Sequence, residues 1–241
     1  MRRSYLTKKI NAKGKTPNIF ANTSGLLLSK ILLGQFEDLS INQLANENGI
    51  SIGLVHKIVS QLVEEGYVRS EGVRTAKKYK LIKPKELLKK WISSYNITER
   101  CRFYTYNIGI DSKEVIKKIK GSKYKNSLAL ALHSACLEFN KFTNLDTNEF
   151  YLLKEDSRKE IEQFLRLEPV DRGYQVLLIE PYYSRILEDQ ASITPKSKVL
   201  VSPPLLTFLD LYHFPLRGIE QAEFLLKKHI ELKKLSALFP N

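Results

Sequence analysis

The sequence predicts an α+β fold in two parts, on three observations. Helical periodicity and capping signals dominate residues 23–65, and two short β-prone runs follow at 67–69 and 78–82. Beyond residue 96, β-prone runs alternate with amphipathic helices, the pattern of an α/β-type domain whose central sheet is flanked by helices. Charge divides the chain at the same place: of the formal +13, residues 1–95 carry 17 Lys+Arg against 7 Asp+Glu, and residues 96–241 carry 22 against 19. A polyanionic partner for the first part explains that split better than a solubilising surface, since clustered cations gain from counterion release on nucleic acid.

Length and composition bound the rest. At 241 residues and 43% hydrophobic, the chain is long enough for one or two domains with real cores. It holds no apolar run of transmembrane length, and its basic N-terminus lacks the apolar stretch of a secretory signal. Cys101 and Cys136 share no metal-ligand spacing, and a chain of this size needs no disulfide, so a reducing, cytoplasmic setting is expected.

Residues 1–22 read as a basic arm. Arg2, Arg3, Lys8, Lys9, Lys13 and Lys15 occur there without one acid, and Gly14 and Pro17 interrupt any periodicity. Such an arm either enters a minor groove or is a free terminus.

Residues 23–95 form the second unit. Leu26, Leu27, Ile31 and Leu32 give a first helix, over 23–35, its apolar stripe. Ser40 and Gln43 have the spacing of a capping box, Ile41, Leu44 and Ala45 share a face, and Gly49 closes that helix. Ile50 faces inward from the turn. Ser51 then caps a further helix to residue 65, with Val55, Val59 and Leu62 inward. Two short helices joined so tightly are a DNA-reading hairpin, the second lying in the major groove. The positions Ser51, Ile52, Gly53, Leu54, His56, Lys57, Ser60 and Gln61 remain for DNA. His56 and Lys57 are the polar readers, and Leu54 can touch a thymine methyl.

The runs 67–69 and 78–82 flank a turn-rich segment, completing the order helix, helix, helix, strand, loop, strand. That order is a winged helix-turn-helix, and Arg69, Arg74, Lys77, Lys78 and Lys80 suit the wing to phosphate contact. The segment resembles the winged-helix domains of bacterial transcription regulators, notably in Leu44-Ala45 and in the run from Leu62 to Val68. Pro84 begins a linker helix whose stripe is Leu87, Leu88, Trp91 and Ile92, with Trp91 placed to anchor the junction.

Residues 96–241 form the third unit. Strands are expected over 102–108, 149–153, 175–180 and 198–201, and helices over 112–120, 127–140, 157–167, 203–214 and 219–232. Ile161, Phe164 and Leu165 would be the core face of the helix over 157–167. No glycine-rich phosphate loop and no nucleophile elbow occurs, and His133, His213 and His229 stand apart. Glu149, Lys154 and Glu180 are the one set a metal-dependent nuclease could use. The expectation is a non-catalytic domain with neither cofactor nor metal.

Val199-Leu-Val-Ser-Pro-Pro-Leu-Leu-Thr-Phe-Leu-Asp210, then Phe214-Pro-Leu-Arg-Gly-Ile-Glu-Gln-Ala-Glu223, resembles the closing segment of AbiE-type antitoxins, the regulatory halves of type IV toxin–antitoxin (abortive infection) pairs. The shared features are Leu209-Asp210, Arg217-Gly218 and Ala222-Glu223; between these and the winged helix only the order of elements corresponds. The resemblance implies an autorepressor that binds double-stranded DNA and counteracts a nucleotidyltransferase-like toxin. A homodimer is compatible with it. Read as residues, Asp210 and Arg217 suit an interhelical ion pair or cap. A nuclease or DNA-modifying enzyme with a winged-helix targeting domain, and an effector-sensing transcription factor, are the alternatives.

Overall fold

The computed structural model describes residues 18–35, 40–73, 77–139, 147–194, 196 and 198–236. The basic arm up to residue 17, with Arg2 and Arg3, and the wing residue Arg74 lie outside the described residues.

The first elements are α1 (Asn22–Leu32), α2 (Ile41–Asn48), α3 (Ile52–Glu64), β1 (Val68–Glu71), β2 (Lys78–Leu81) and α4 (Pro84–Ser94). Their ends follow local chemistry. Ser40 accepts from the backbone N–H of Gln43 while the Gln43 side chain accepts from the N–H of Ser40, so α2 begins with a reciprocal cap. It ends at Gly49, whose φ of 57° is left-handed and turns the chain in two residues toward α3. Ser51 accepts from the N–H of Leu54 and caps α3. Val55, Ile58, Val59 and Leu62 bury one face of α3. β1 and β2 pair antiparallel, from Val68 opposite Leu81 to Glu71 opposite Lys78.

The rest of the chain runs α5 (Ile97–Arg100), β3 (Arg102–Asn107), α6 (Ser112–Lys120), β4 (Leu128–Leu130), α7 (Leu132–Phe139), β5 (Asn148–Leu152), α8 (Arg158–Leu165), β6 (Glu168–Pro169), β7 (Val176–Glu180), α9 (Ser184–Gln190), β8 (Ser192–Ile193), β9 (Leu200–Val201), α10 (Pro204–His213), α11 (Gly218–Lys228) and α12 (Lys233–Ser236). Seven strands form one mixed sheet in the order β6-β3-β7-β5-β4-β9-β8, parallel at β5/β7 and β4/β9 and antiparallel elsewhere. The α+β expectation holds, with a central sheet after a helical N-terminal unit.

Because side chains alternate across a strand, the sheet has two apolar faces and two cores. Leu128, Leu130, Phe150, Leu152, Val176 and Leu178 face α6 and α8, represented by Val115, Ile119, Ile161 and Leu165. Ala129, Tyr151, Leu177 and Ile179 belong to the other core, with Leu205, Phe208 and Leu225. That second core does not stop at residue 95. It continues through Ile97, Tyr95 and Trp91 into Leu26, Leu27, Val55 and Leu62 of the helical hairpin.

Polar contacts reinforce the junction between α1 and α9. Lys30 lies 2.9 Å from Asp189, Asn22 donates to Ser184 Oγ, and Gln190 donates to Ser29 Oγ. Trp91 is fully buried and donates from Nε1 to Tyr183 Oη at 2.7 Å, and Tyr183 in turn donates to the carbonyl of Phe20. Gly25 leaves room for this: a Cβ there would meet the Tyr183 ring at 2.6 Å.

The structure corrects three details. The helix expected over 127–140 is a strand, β4, followed by α7; Leu128-Ala-Leu130 is buried between β5 and β9, and a short apolar run covered on both faces carries no periodicity to separate strand from helix. Phe164 is 39% exposed, so α8 buries only Ile161 and Leu165. The last long helix ends at Lys228 rather than residue 232, and α12 follows a turn.

Candidate nucleic-acid interface

The exposed surface of α3 is built by exclusion. Once the Val55/Val59/Leu62 face is buried, Ser51, Gly53, His56, Lys57 and Ser60 lie exposed on the other side, and Leu54 and Gln61 are half-buried at its edges. Several of these groups have local partners. Ser51 is occupied in capping α3, Ser60 Oγ is 3.5 Å from His56 Nδ1, and Gln61 donates to Glu65 at 2.7 Å. Gly53 has nothing within 4 Å of where a Cβ would be, so the first turn of α3 is open to close approach. On the wing, Arg69, Lys77, Lys78 and Lys80 are exposed. The first turn of α3 and the cations on β1 and β2 are thus both accessible, and phosphate oxygens can meet either.

Residues 37–69 match the family of winged helix-turn-helix DNA-binding domains. This segment is a DNA-binding winged helix-turn-helix. It is the kind of module that transcription regulators place on DNA, with the second hairpin helix in the major groove. Comparison with curated proteins and with solved structures gives no match. No helix among the described residues is long and apolar enough to cross a membrane.

Ile52, at the start of α3, is 53% exposed, as its place off the buried face predicts. Two residues beside the winged helix were missed. Val73, beside the wing turn, is apolar and 77% exposed. Arg185 comes from α9, yet its Nη2 is 3.8 Å from where a Cβ on Gly49 would sit, beside the turn between α2 and α3. Nothing in local sequence signals that approach, which depends on how α9 packs on α1.

The second part gathers its polar groups differently from expectation. Glu149 pairs with Leu177 across β5/β7, so Glu180, three residues further along β7, points to the opposite face of the sheet. Glu180 accepts from Tyr104 Oη, and Glu149 is buried against His133 Nδ1 at 3.2 Å and the N–H of Ser134. Lys154 lines a separate open hollow with Lys123, Tyr124 and Glu160. The nuclease set of Glu149, Lys154 and Glu180 is thus not brought together. Of the histidines, His133 is buried beside Glu149 with Nε2 unpartnered, His213 Nε2 lies 2.7 Å from the carbonyl of Ile92, and the His229 ring packs edge-on against Phe139. Among the described residues no cluster of three or more His, Cys, Asp and Glu could hold a metal ion.

Asp210 and Arg217 do not pair. Asp210 is fully buried and accepts from Tyr95 Oη at 2.7 Å and from Tyr151 Oη. Burial raises its carboxyl from 3.8 to about 7, against the opposing effect of the two tyrosine hydrogen bonds. Tyr95 also lies 3.8 Å from Cys101 Sγ, a thiol that burial pushes up to about 12. Arg217 instead sits 3.8 Å from Glu220 on the surface, in a left-handed conformation (φ 67°) before α11. Gly218 is required by space, since a Cβ would fall 2.2 Å from the carbonyl oxygen of Leu211. The Arg217-Gly218 pair therefore has a local structural cause, the close approach of α11 to the end of α10.

Proposed function

We propose that the protein is a transcriptional autorepressor of the AbiE antitoxin type, whose second part counteracts a nucleotidyltransferase-like toxin and carries no catalytic activity of its own. The observation that carries the reading is the winged helix, with an exposed first turn of α3 and exposed lysines on the wing. In this reading Lys57 and His56 meet base edges, while Arg69, Lys77, Lys78 and Lys80 position the duplex. The separation of Glu149 from Glu180 by the sheet supports a non-catalytic second part.

The antitoxin role draws its support from the segment over 199–223. There Asp210 ties α10 to both the linker and the sheet, and Leu216 and Ile219 are exposed at the start of α11. A two-part cellular experiment tests the proposal. A reporter driven by the DNA upstream of the gene should be repressed by the chain, and growth arrested by a nucleotidyltransferase toxin encoded beside it should be restored. Repression without rescue would leave a regulator and discard the antitoxin role. Rescue without repression would discard autoregulation.

A further inference from the structure

We propose that α6 and the turn after it carry a second DNA-binding surface, which holds a duplex segment other than the one on α3. The proposal rests on the winged helix binding DNA. Residues 111–126 contain six lysines and two acids, whereas residues 96–241 as a whole have 22 basic residues against 19 acidic ones. Outside this short segment the second part is therefore slightly acidic, and its entire basic excess is concentrated here.

Structure turns that concentration into a surface. Val115 and Ile119 are fully buried against the sheet, and Lys113, Lys117, Lys118, Lys120, Lys123 and Lys125 are all exposed. Lys113, Lys117 and Lys120 fall at i, i+4 and i+7, one stripe along the helix about 10 Å long. A row of cations of that length can lie along the phosphates of a duplex. The nearby acids neutralise it only in part. Asp111 caps the N–H of Lys113, Glu114 is 3.5 Å from Lys117, and Glu160 is 3.2 Å from Lys123.

Lys117, Lys118 and Lys120 lie in the last turn, where the helix dipole favours cations, but Lys113 lies in the first turn, where it disfavours one, and Lys113 and Lys117 are like charges at i, i+4. Helix stability alone therefore does not account for Lys113. Position separates this surface from the winged helix. α6 packs on the sheet face of Leu130 and Phe150, while the hairpin shares the core on the opposite face. Two duplex segments, one on each surface, fit this layout.

A bridging assay with the full chain tests the proposal. One duplex is immobilised, and a second, labelled duplex of unrelated sequence is supplied with the protein. The unchanged chain should carry the labelled duplex to the support. The triple variant K113Q/K117Q/K120Q should cut that capture at least tenfold while melting at the same temperature. Its salt dependence on a single duplex should stay within one unit of the unchanged chain. A loss of about three units in that slope would mean that α6 lies on the same duplex as α3, and would overturn the proposal. Unchanged capture, or no capture by the unchanged chain, would overturn it as well. Failure of the winged-helix reading looks different: single-duplex binding would then survive K57Q/K77Q/K78Q/K80Q.

Discussion

Replacing Trp91 with alanine is expected to cost about 3–5 kcal/mol of stability, the range for truncating a fully buried large aromatic. The side chain has no exposed surface, meets the Tyr183 ring edge-on at 5.7 Å and 82°, and donates its only N–H to the Tyr183 hydroxyl. It stands where α1, α4 and the segment before α9 converge, so its loss opens the core shared by the helical hairpin and the sheet. Helical hairpin and sheet should consequently unfold in one transition, shifted to lower urea. Trp91→Phe should retain most of the packing and lose about 1 kcal/mol for the hydrogen bond. Because Trp91 is the one tryptophan of the chain, far-UV circular dichroism must follow the unfolding rather than fluorescence. A loss below about 1 kcal/mol for the alanine variant, well short of the truncation range, would refute the anchoring role.

Asp210→Asn should flatten the dependence of stability on pH. The folded carboxyl titrates near 7 and the unfolded one near 3.8, so between those values the native state holds a proton that the unfolded chain has released. Stability therefore falls as pH rises through that window, by up to about 1.4 kcal/mol per unit, and levels off above it. Among the described residues the ionisable groups that sense Asp210 are Tyr95, Tyr151, Cys101 and Tyr183, none of them a cation, and burial and Asp210 hold Tyr95 and Tyr151 well above their usual range. Asparagine keeps the size and one acceptor but does not ionise. Urea unfolding at pH 5 and pH 8 checks this. The variant should gain on the unchanged chain at the higher pH, and an equal difference at both would contradict a neutral buried Asp210.

Much of the winged helix was legible because its signals are local. The Ser40–Gln43 cap, the left-handed Gly49 and the spacing of Val55, Val59 and Leu62 each act within one or two turns, and each is found where expected. The second part was legible in its elements and much less in its contacts. Leu128-Ala-Leu130 became a strand because β5 and β9 cover its edges, which no window of sequence contains. Asp210 and Arg217 suited an interhelical ion pair or cap, but Tyr95 and Tyr151 claim Asp210 from 115 and 59 residues away. Arg185 reaches the hairpin turn for the same reason, through packing between distant elements. Trp91 is the exception: its place on the linker stripe, between two predicted units, was enough to expect an anchor.

The central claim is that α3 reads base pairs while the wing holds phosphates, and a salt titration of binding tests it most directly. The full chain would be titrated onto the duplex upstream of its gene and onto an unrelated duplex, beside the variants K77Q/K78Q/K80Q and Lys57→Gln. Neutralising the wing should weaken binding to both duplexes and flatten the salt slope by about one unit per lost phosphate contact. Lys57→Gln should leave the slope nearly as it was and remove about 1–3 kcal/mol of preference for the upstream duplex. Equal losses on both duplexes from both variants would contradict the claim, and with it the assignment of α3 as the reading helix.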